Sequence, residues 1–161
     1  MKARSKIILV LATILLLVFS AGQMSYTDDV LIIQNFDYKG SSDQWVVATN
    51  LSEGAMSYVD RTYTFVSLPV ELVGANYIRT SNSDNDATMQ ILASFEVTTD
   101  AEVYVALDSR ISSAPTWLSS WETVDKLVIV NEGGSDNQTH SLYKKNYSAS
   151  SIVELGRNSD A

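Results

Sequence analysis

The stretch "MQILASFEVTTDAEVYVAL", Met89 to Leu107, decides the fold. In its first half Met89, Ile91, Ala93, Phe95 and Val97 fall on one face. Gln90, Ser94, Glu96 and Thr98 fall mostly on the other. Successive side chains of a strand point to opposite sides, so this two-residue period marks a strand with one buried face. After Thr99-Asp100 the alternation resumes, with Val103, Val105 and Leu107 inward, which predicts a β-hairpin with the preceding strand.

The same pattern extends along the chain. Further strands are predicted at Val30–Asn35, Gln44–Ala48, Thr62–Val66, Tyr77–Thr80, Leu127–Val130, Leu142–Lys145 and Ile152–Leu155. Between them lie the turn-rich pieces "DYKGSSD", "NLSEGAM", "SNSDND" and "NEGGSDNQT". Many short strands separated by such turns imply an all-β, antiparallel β-sandwich of jelly-roll or galactose-binding-like type. No long segment has helical spacing. One short helical turn is expected at "PTWLSSW", with Pro115 at a first helical position and Trp117, Leu118 and Trp121 sharing a face.

The first 22 residues read as a secretory signal. Lys2, Arg4 and Lys6 precede the apolar run Ile7–Phe19, and Ser20 and Gly22 suit cleavage before Gln23. The run is short for a membrane span, so no stable membrane insertion is expected after cleavage. Residues 23–161 then form a single β-sandwich domain, secreted or extracellular, or held at the cell surface if the signal segment stays uncleaved. That domain carries eight basic against 19 acidic residues, a net charge of −11. Such a surface repels phosphate backbones and anionic membranes, which excludes nucleic acid as a partner class. There is no cysteine, so stability must come from the core rather than from disulfides.

Resemblance adds a functional direction. The residues that carry it include Gly54, Asp60, Arg61, Tyr63, Gly74, "YIRT" (Tyr77–Thr80), "VYVALDSR" (Val103–Arg110), Pro115, Trp117, Leu118, Trp121 and "VELGRN" (Val153–Asn158). On these the chain resembles a secreted β-sandwich module that accompanies extracellular polysaccharide-degrading enzymes, a pectate lyase-type accessory domain. The resemblance implies an accessory, carbohydrate-associated role, with a polysaccharide or other glycan as partner. It also implies a closing strand after "LGRN"; without one, an open sheet edge would take a strand from a protein partner. The alternative function is accordingly a structural cell-surface or matrix protein that completes its sheet with a partner strand.

The candidate ligand residues are Trp117, Trp121, Asp108, Arg110 and Tyr104. Asp108 and Arg110 lie two apart, so in an extended chain they point the same way, and a guanidinium and a carboxylate can bind sugar hydroxyls or a uronate. The indoles offer apolar faces to a pyranose ring. Both tryptophans would equally plug one end of the sandwich, and one packed with one exposed is the expected division. Asp60-Arg61 and Arg79 read as internal braces.

Asn82, Asp84 and Asp86 recur at every second position, like the start of a calcium loop, and form the metal candidate. The rest of an EF-hand is missing, since Ala87 and Ala93 stand where the glycine and the bidentate glutamate belong. No other cofactor is implied. Catalysis has no motif behind it: His140 is the single histidine, in the polar context "QTHS" where exposure is expected, and no nucleophile elbow is present. Asn50, Asn137 and Asn146 each begin an N-glycan acceptor triplet.

Overall fold

The computed structural model describes the backbone of residues 5–11 and 16–20 and the whole of residues 32–158. The strands are β1 (Ser5–Leu11), β2 (Leu16–Ser20), β3 (Ile33–Tyr38), β4 (Val46–Ala48), β5 (Thr64–Ser67) and β6 (Tyr77–Arg79). They continue with β7 (Ile91–Val97), β8 (Ala101–Asp108), β9 (Glu122–Asn131), β10 (Asn137–Tyr147) and β11 (Ile152–Gly156). Three 3-10 turns, at Val70–Leu72, Asn82–Asp84 and Thr116–Ser120, are the helical elements among the described residues. None is long or apolar enough to cross a membrane.

The strands form two sheets. The larger runs β4-β6-β1-β2-β8-β10-β9-β5 and the smaller β11-β7-β3. Strand pairs formed within residues 32–158 are antiparallel, whereas β1 runs parallel to β6 and β8. The protein is therefore an all-β sandwich. The expected cleavage point before Gln23 lies outside the described residues.

The predicted hairpin around Thr99-Asp100 does not form. β7 pairs with β11 and β3, while β8 pairs with β10 in the opposite sheet. The turn is an arch that carries the chain from one layer to the other. Ala93, Phe95 and Val97 thus belong, with Val103, Val105 and Leu107, to one core between the sheets. Facing layers bury both apolar stripes, which side-by-side pairing would leave in need of another cover. The tight hairpin is instead β9–β10. Gly133 and Gly134 adopt positive φ there (121° and 56°), a conformation that side chains with a Cβ resist.

The larger sheet is buried on both faces. Leu51, Tyr58, Phe65, Leu72 and Ala75 pack over Tyr104, Ala106, Val128, Val130 and Leu142, forming a second core. Seven of the eight residues of β8 are consequently buried. The tryptophan turn closes the first core as expected, since Leu118 and Trp121 belong to it.

Candidate functional site

At one end of the larger sheet, beyond Asp108, the chain turns back on itself. The Arg110 backbone N–H donates to Asp108 Oδ1 at 2.7 Å, and Ser109 N–H donates to the Thr139 carbonyl at 3.0 Å. This places the Arg110 guanidinium beside two carboxylates. Its Nε donates to Asp108 Oδ1 and Oδ2 at 3.0 and 2.9 Å, and its Nη1 and Nη2 reach Glu132 at 3.1 and 2.7 Å. Asp108 is 2% exposed, whereas the Arg110 side chain is 54% exposed. Burial alone would raise the Asp108 pKa, but the hydrogen bonds from Arg110 outweigh it and hold the carboxyl below its usual range. The same bond to Asp108 raises the pKa of Arg110.

Around this group opens a cleft of about 420 Å³, lined by Tyr63, Asn82, Asn85, Asp108, Arg110, Ile111, Glu132 and Asn158. Its wall at residues 82–85 is held by Asp60, whose carboxylate accepts Asn82 N–H at 2.7 Å, Ser83 N–H at 3.0 Å and the Ser83 hydroxyl at 2.8 Å. Arg61 Nη1 donates to Asp60 at 2.9 Å, and Arg79 donates to the Tyr58 carbonyl. These are the internal braces read from the sequence. Three amides, one phenol ring and a guanidinium shared by two carboxylates make a surface suited to hydroxyl groups. Each amide offers both a donor and an acceptor.

A second concave surface lies where Trp117 meets β11. The Trp117 indole Nε1 donates to the Arg157 carbonyl at 2.8 Å. Its ring lies edge-on to Trp121, with centroids 5.9 Å apart at 88°, and Trp121 in turn contacts Tyr147 at 6.1 Å. Trp121 is 8% exposed and belongs to the core, while Trp117 is half-buried. One hollow of about 330 Å³ includes Trp117, Lys145, Tyr147, Ile152 and Glu154, and an adjoining one of about 450 Å³ includes Thr116, Trp117 and Arg157. Gln90 and Ile91 line both. Together they form a trough with the Trp117 ring in the middle.

The residues read from the sequence as one ligand set are therefore divided. Asp108 and Arg110 line the polar cleft, Trp117 and Trp121 line the trough, and the two share no lining residue among the described residues. Tyr104 lines neither. It is 4% exposed in the second core, and its hydroxyl donates to Glu102 at 3.0 Å. The exposure expected of His140 is also overturned. It pairs with Asp108 across β8–β10, is 0% exposed, and burial pushes its pKa down to about 4.

The calcium candidate does not assemble. Asp84 turns into the sandwich and accepts the Tyr38 hydroxyl and the Trp45 indole N–H on one oxygen, both at 2.7 Å. Asn82 faces the cleft and Asp86 is exposed. Among the described residues, no group of three acidic, histidine or cysteine side chains could hold a metal ion.

Glu132, Asn85, Lys145 and Gln90 were not legible as site residues. Glu132 and Asn85 sit in turn-rich segments whose composition speaks only of loops, while Lys145 on β10 and Gln90 just before β7 read as ordinary polar positions.

No family model and no curated protein matches the sequence. Among solved structures the chain is similar to a β-glucuronidase from glycoside hydrolase family 2, with a TM-score of 0.72 and 18% identity. The match covers 91% of this chain and 19% of that one. At this identity the likeness shows the fold, a sandwich that corresponds to one part of a larger enzyme.

Proposed function

We propose that this protein is an exported, non-catalytic carbohydrate-binding module whose polar cleft at Arg110 receives the ligand. One observation carries the reading. Tyr63, Asp108, Arg110 and Asn158, which bear the resemblance to modules of polysaccharide-degrading enzymes, are scattered over the sequence yet line a single cleft. Its volume suits one or two sugar rings, and its amides and carboxylates suit their hydroxyls. Structural likeness to part of a glycoside hydrolase supports the same context. The two carboxylates of the cleft share one guanidinium, and the Arg110 hydrogen bonds that hold the Asp108 carboxyl below its usual range make it a poor proton donor for glycoside cleavage. Affinity electrophoresis against a panel of neutral polysaccharides tests it, with Asn85→Trp as the variant that fills the cleft from its exposed rim. Retardation by at least one polymer, abolished by the substitution, is expected; no retardation by any of them sinks the reading.

A second reading rests on the sheet order. β6 and β8 are bridged only through β1 and β2, in the segment that the sequence marks as a leader. If that segment is removed, the edge of β8 is open to a strand from a protein partner. Light scattering of the chain lacking residues 1–22 separates the readings, since a stable oligomer favours this one.

A further inference from the structure

We infer that the trough over Trp117 is a second binding site, and that its ligand is an anionic polysaccharide chain. The argument begins with where the positive charge of an acidic protein goes. The chain holds 11 basic and 19 acidic residues, so a cation on its surface has ample carboxylates with which to pair. Most do so within residues 32–158: Lys39 with Asp37, Arg61 with Asp60, Arg110 with Asp108 and Glu132, Lys126 with Glu71, and Lys144 with Glu102 and Glu122. Among the described residues, Arg79, Lys145 and Arg157 form no ion pair. Arg79 is spent on the Tyr58 carbonyl. The other two both line the trough, one in each hollow, with Trp117 between them.

Each of these cations is oriented without being neutralised. Lys145 Nζ donates to the Ser120 hydroxyl at 3.0 Å and sits 5.8 Å from the Tyr147 ring centroid. Arg157 Nη1 donates to the Thr88 carbonyl at 3.1 Å. Among the described residues Glu154 is the one carboxylate in the lining, so these residues set two cations against one anion on a protein that is otherwise strongly negative. A half-buried indole and the 68%-exposed Ile152 supply apolar surface for the C–H face of a sugar ring. Lys145 and Arg157 then receive acidic groups from residues on either side of it. The polar cleft has the opposite balance, two carboxylates to one guanidinium, and would disfavour such a chain. The two sites thus select by charge.

The test is affinity electrophoresis of the full chain in gels containing polygalacturonate, a sulfated galactan, or carboxyl-reduced polygalacturonate. Retardation in one or both charged gels, absent from the carboxyl-reduced gel, is expected, and the comparison tells carboxylate from sulfate recognition. Lys145→Gln with Arg157→Gln, both surface changes, should weaken retention at least tenfold, and added salt should weaken it in the parent chain. Equal retardation by the neutral polymer, no retardation in either charged gel, or a double variant that behaves like the parent would each overturn the inference. Loss of polyanion binding on filling the cleft with Asn85→Trp would also overturn it, by placing the acidic ligand at Arg110. Failure of neutral glycans to bind touches only the cleft.

Discussion

Trp45 and Asp84 are joined in the interior of the sandwich, indole Nε1 to carboxylate Oδ2 at 2.7 Å, and the Tyr38 hydroxyl meets the same oxygen at 2.7 Å. Tyr38 and Trp45 also stack, with centroids 5.2 Å apart. A carboxylate 4% exposed is tolerable there because two donors replace its lost water. Asp84→Ala leaves both donors without a partner, at a cost of about 2–5 kcal/mol. A urea titration should show a lower midpoint at unchanged slope. Because this oxygen is engaged inward, millimolar calcium should leave the melting temperature of the parent chain unchanged, and a clear rise would contradict the geometry.

Histidine 140 predicts a pH dependence. Folding holds it neutral, since burial pushes its pKa down to about 4 despite the attraction of Asp108, with Arg110 opposing protonation. In the unfolded chain its pKa is about 6.5, so as pH falls the unfolded state takes the proton first. Stability is therefore lost between about pH 6.5 and 4, by roughly 3 kcal/mol, and is unaffected by this group above that window. Asp108, whose folded pKa is depressed, acts lower: its contribution is present above about pH 3.9 and is lost as pH falls through its folded value. Urea midpoints at pH 5 and 7 should differ in the parent and much less in His140→Leu.

Gly156 sets the seat of Trp117. A Cβ at this position would lie 2.4 Å from Trp117 Cδ1 and 2.6 Å from Nε1, so the indole must move. Gly156→Ala should break the bond to the Arg157 carbonyl, cost about 1–3 kcal/mol and shift the tryptophan fluorescence. Retention on acidic polymers should fall with it. An unchanged emission spectrum would show that the ring is not held as described.

The second core makes a contrast that is easy to measure. Leu142 is 0% exposed between β8 and β9, whereas Ile152 is 68% exposed on β11. Leu142→Ala should cost about 2–5 kcal/mol through the cavity it leaves. Ile152→Ala should stay within about 0.5 kcal/mol. Similar losses at both positions would argue against burial of the larger sheet on its second face.

The nine strands from β3 to β11 each overlap a segment whose alternation was readable, because the two-residue period is a local property of an extended backbone. The turn at "PTWLSSW" was readable for the same reason, from Pro115 and three apolar side chains within one turn. Tertiary structure alone decided which strands are neighbours. A link as short as Thr98–Asp100 serves a hairpin or an arch, and the choice lay with cores assembled from residues 50 or more positions apart. That choice buried Tyr104 beneath a cover from residues 51–75, which no local period announces, and left His140 with no exposure. It also sent Asp108 and Arg110 to one hollow and Trp117 to another, though fewer than ten positions separate them along the chain. Side-chain direction along a strand is inherited from the backbone, but what lies opposite a side chain is set by long-range packing, and on that the character of both hollows depends.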